Sequence, residues 1–215
     1  QDERWFTGVW PFAAWSAMNA YVEFWSRCGR RLQVADPTPG NVIVPIHDYH
    51  VGARLVSISS RREFDGLTGM LRSLYHEIVV RVEGEHERLR GLVAHNMLFT
   101  ALLEVVGEEE GLVLLAAVAE DPEAREDRQL CEELHEFVEG VRRLGFVPAR
   151  THFAAQRYWR WASLNPEATH AARASTVHQL FKTYGLASMQ DSYPEARARF
   201  FRETDTLQVG AQESN

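Results

Sequence analysis

The sequence has little cysteine, almost no lysine and no long apolar run. Its two cysteines, Cys28 and Cys131, lie far apart and in neither CxxC nor zinc-ligand spacing, which excludes a disulfide framework and a structural zinc site. Two free, largely buried thiols in a reducing, intracellular compartment are the expectation. The longest unbroken apolar stretch, Leu112 to Ala119, falls far short of the roughly 20 residues that an α-helix needs to cross a bilayer. No membrane contact is therefore expected. Gln1 to Arg4 are not followed by the apolar stretch and small-residue cleavage site of a signal peptide. Hallmark motifs are missing as well: there is no G-x-S-x-G elbow, no phosphate-binding G-x-x-x-x-G-K-[ST] loop, no G-x-G-x-x-G fingerprint and no H-E-x-x-H zinc helix. Standard hydrolase, NTPase and dinucleotide-binding readings lose their sequence support, although an enzyme of another type stays open.

Lys182 is the single lysine among 23 basic residues. Arginine's planar fork suits phosphate and carboxylate groups, and a coding sequence rich in G and C produces the same bias. The net charge of −7 conceals an asymmetry: acidic residues dominate Glu104 to Glu139, and Arg142 to Arg202 carries an excess of base.

What is present reads as an average globular composition, 45% hydrophobic and 25% charged, long enough to bury a sizeable core. One helical domain over residues 1–204 is expected, with 1–9 as an N-terminal arm and 205–215 as a disordered tail. The fold class is all-α, with about six to eight helices and a short β-hairpin near residues 42–58. Phe12, Trp15, Met18, Tyr21, Val22 and Trp25 recur at helical spacing, and Pro11 suits a first turn. Val42 to Ile46 and Val51 to Ile58 are short β-branched stretches around Asp48-Tyr49-His50. Ser60 and Glu63 form a capping-box pattern ahead of the apolar repeat from Leu71 to Leu92, which predicts one long helix or two broken near Gly91. A helix over Met97 to Val106 is expected to be interrupted by Gly107 to Gly111. Asp121-Pro122-Glu123 then predicts a start for a helix reaching Leu144. Similar punctuation recurs at Asn165-Pro166-Glu167 and Ser192-Tyr193-Pro194-Glu195.

Three groupings point to chemistry. Glu83 with His86 and Glu132 with His135 are Glu-x-x-His pairs, and Glu23 and Glu104 are embedded in apolar helices. Residues at i and i+3 project from one helix face, so these six form on paper the ligand set of a helical di-iron site holding two iron ions. His86 falls on the apolar stripe, whereas Glu132 and His135 fall on the wetter side of a stripe running through Leu130, Leu134 and Phe137. His47-Asp48-Tyr49-His50 places two imidazoles and a carboxylate in one turn. Arg150, Arg157 and Arg160 alternate with aromatics including Trp159, the pairing that single-stranded nucleic acid binding uses; on a helix, Tyr158 and Trp161 would join the core.

The readings span three classes. The first is a helical protein-interaction or scaffolding module with acidic and basic faces, meeting a protein partner or a second copy. The second is a metal-dependent oxidase or oxygenase of di-iron carboxylate type. The third is a nucleic-acid-binding domain using Arg150, Arg157, Trp159 and Arg160.

Overall fold

A computed structural model describes residues 3–34, 37–44, 53–56, 61–63, 66–184 and 186. It is mostly helical, as expected, with two short antiparallel ribbons. Contacts divide the chain into two compact units, residues 1–140 and 141–215.

The first unit is built around α1 (Glu3–Arg27). Ala14, Trp15, Met18, Tyr21, Val22 and Trp25 are all buried, at the i, i+4, i+7 spacing of one broad face. The helix starts at Glu3, ahead of the predicted start at Trp10, so Pro11 lies inside it. An interior proline removes one hydrogen bond and costs about 3 kcal/mol. Burying Trp15, Met18 and Trp25 to 1% exposure or less offsets this, at roughly 1.5–3 kcal/mol for each large side chain.

Two ribbons follow α1. β2 (Val42–Ile43) pairs antiparallel with β3 (Arg54–Leu55), in the register Val42↔Leu55 and Ile43↔Arg54, within the stretch expected to form a hairpin. β1 (Leu32–Val34) pairs with β4 (Arg61–Glu63), in the register Leu32↔Glu63. This second pairing corrects the capping-box expectation. Glu63 belongs to a strand, its backbone committed to β1, and the helix begins only at Leu67, after Gly66 at φ 98°.

The next helix runs without a break through α2 (Leu67–Tyr75), a π-helical turn at His76–Val80 and α3 (Arg81–Glu85). It stops at Glu85, because His86 is extended at φ −128°, ψ 92°. α4 (His95–Val106) and α5 (Glu108–Glu120) are separated by Gly107 alone, so the predicted interruption shrinks to one residue. Gly111 lies inside α5, where an added Cβ would come within 2.5 Å of Leu103 Cδ1 on α4. The absent side chain lets the two helices approach.

Asp121 caps α6 (Pro122–Glu126) by accepting from the Glu123 N–H at 2.9 Å. The single helix predicted to follow is in fact two. Asp127 takes an extended conformation at φ −101°, ψ 91°, and its carboxylate accepts from the Leu130 N–H at 3.1 Å. It thus restarts the chain as α7 (Arg128–Leu144), as short acidic side chains do at helix starts.

The second unit contains α8 (Ala149–Leu164) and α9 (His170–Thr183), packed on one another. Phe153, Ala154, Ala155, Tyr158 and Phe181 are buried in it. Asn165-Pro166-Glu167 forms a turn rather than a helix start. The cap is Thr169, whose hydroxyl accepts from the Ala172 N–H at 3.3 Å. Ser192 to Glu195 and the 205–215 tail lie outside the described residues. Among the described residues, no helix is long and apolar enough to cross a membrane.

Candidate functional site

A polar grouping in the first unit joins α2, α4 and α7. Ala94 precedes α4 and has no side chain able to cap it, leaving the first N–H groups in need of acceptors. Glu133 of α7 supplies one: its Oε2 accepts from the His95 backbone N–H at 2.7 Å. The same carboxylate presents Oε1 to His95 Nδ1 at 3.2 Å, an ion-pair distance outside hydrogen-bond geometry. Gln129 Nε2 also donates to Oε1, at 2.9 Å.

His95 is buried. Its ring stacks on Tyr75, with centroids 3.6 Å apart and planes at 19°, and on its other neighbour Phe99 at 6.3 Å. The Tyr75 hydroxyl donates to the Val93 carbonyl at 2.9 Å. Burial, then the negative fields of Glu133 and Glu83, push the Tyr75 phenol up to about 12. For Glu133 burial acts upward, but the hydrogen bonds from the Gln129 side chain and the His95 backbone N–H, with the His95 ring close by, outweigh it and hold the carboxyl below its ordinary value.

Glu83 closes the same region from below. It is 7% exposed and accepts from Trp10 Nε1 at 2.9 Å, from the Gly91 N–H at 2.6 Å and from the Val93 N–H at 3.2 Å. A carboxylate buried without a cation is tolerable only when donors replace its water, and here three N–H groups do so. Glu83 is a structural acceptor that ties the 86–93 segment to α1.

The residues expected to bind iron are not gathered. Glu83 is occupied as described, and His86 is exposed beyond the end of α3. Its i+3 spacing from Glu83 loses meaning because the helix stops one residue earlier. Glu23 pairs with Arg27 on α1. Glu104 is half-buried on α4. Glu132 accepts from Arg128 at 2.6 Å, and His135 lies with Nδ1 2.8 Å from the Cys131 carbonyl, both exposed on α7. Among the described residues no group of three or more His, Cys, Asp or Glu side chains is placed to hold a metal ion. Sequence reasoning chose His86 as the core histidine; among the described residues the buried one is His95, which stands just ahead of the apolar run of α4. Glu133 lies between Leu130 and Phe137 on the border of the buried stripe, a position that marks it as partly buried without naming its partner.

His47-Asp48-Tyr49-His50 lies outside the described residues. On α8, Arg160 is exposed, and Arg150, Arg157 and Trp159 are half-buried. Phe153 and Tyr158 are buried and so cannot serve as stacking platforms for bases.

Chemically, the Tyr75, His95 and Glu133 grouping is arranged for cohesion. A phenol pushed to about 12 is farther from neutral pH than an ordinary tyrosine, the opposite of what general acid–base catalysis requires. No protein-family model, curated protein or solved structure matches the chain significantly.

Proposed function

We propose that the chain is a helical protein-interaction module, with the solvent face of α7 as the contact surface and a basic protein surface as its partner. The observation that carries this reading is the two-sidedness of α7. Leu130, Leu134 and Val138 are buried on one side, and Glu132, Glu136 and Glu139 stand exposed on the other. Glu132 accepts from Arg128 within the helix, and Glu132, Glu136 and Glu139 together give this face an acidic character. Charge complementarity steers a basic surface towards such a face.

The test is affinity capture from the source organism at graded salt, with wild type beside the E132K/E136K/E139K variant. A partner retained by wild type, released as salt rises and lost in the variant supports the reading. Identical retention by both proteins at every salt concentration overturns it.

A further inference from the structure

We draw no further inference here: the strongest candidate, the face of the β2–β3 ribbon on which Ile43 and Val56 stand 56% and 54% exposed, carries nothing because nothing among the described residues shows what covers it.

Discussion

Two glycines in helices have opposite environments. At Gly111 a Cβ would meet Leu103 Cδ1 at 2.5 Å, Cγ at 2.7 Å and Cα at 3.2 Å; the last is backbone and cannot rotate away. Gly111→Ala is expected to destabilise the protein by about 1–3 kcal/mol through overpacking. At Gly140, inside α7, nothing lies within 4 Å of the added atom, and Gly140→Ala is expected to stabilise by up to about 1 kcal/mol through helix propensity. Urea unfolding of the two variants checks the opposite signs. Arg30 offers a second comparison. It holds φ 62° without being glycine, at a cost of roughly 1–2 kcal/mol, while its guanidinium pairs with Glu110 and lies 5.5 Å over the Trp25 ring. Arg30→Ala keeps the strain and loses both contacts, whereas Arg30→Gly loses the contacts and relieves the strain. The alanine variant should therefore melt at the lower temperature; the reverse order would contradict this account of the loop.

At the scale of elements, α4 and α7 are joined through a titrating group. The Glu133 carboxyl is held below its ordinary value, so its contribution is present above the unfolded carboxyl range and is lost as pH falls through the folded value. Wild type should exceed Glu133→Gln in stability at neutral pH, and the gap should close in acid, as read from urea midpoints at both conditions. Tyr75 behaves in the opposite sense. Its folded value is raised to about 12, so stability from the neutral phenol is complete below the unfolded value, near 10, and is lost as pH rises through the folded one. A phenolate absorbance titration should include a step near 12 from Tyr75, and Tyr75→Phe should reduce the amplitude of that step by one tyrosine.

The elements also show how far sequence patterning reaches. Apolar periodicity located most of α1, α2, α4 and α7 because it is a local signal, and the β-branched run around residues 42–58 marked a real ribbon. The β1–β4 pairing escaped because it joins Leu32–Val34 to Arg61–Glu63, and strand pairing at that separation leaves little local trace. The candidate site suffered from a single boundary. Glu83 and His86 share a face only if the helix continues through both, and it ends at Glu85. Nor does sequence reveal that the acceptor for the His95 N–H comes from another helix.

For the molecule as a whole, net charge bears on association rather than on fold. The net charge of −7 favours solubility and selects basic over acidic partners, in keeping with the proposed role of α7. The scattered positions of Glu23, Glu83, His86, Glu104, Glu132 and His135 lead to another expectation. Protein produced with iron supplied and then dialysed should contain well under one metal ion per chain by elemental analysis, and a chelator should leave its melting temperature unchanged. A stoichiometric metal content would overturn this expectation.

The cap that Glu133 places on His95 spans 38 positions of sequence, and this has a consequence for how the chain is made. Synthesis proceeds at about 5–20 residues per second, so α4 leaves the ribosome seconds before the carboxylate that completes its first turn. During that interval the His95 N–H remains open to water, although α1, against which α4 chiefly packs, has already been made. The first turn of α4 is therefore completed later than the packing of the rest of that helix.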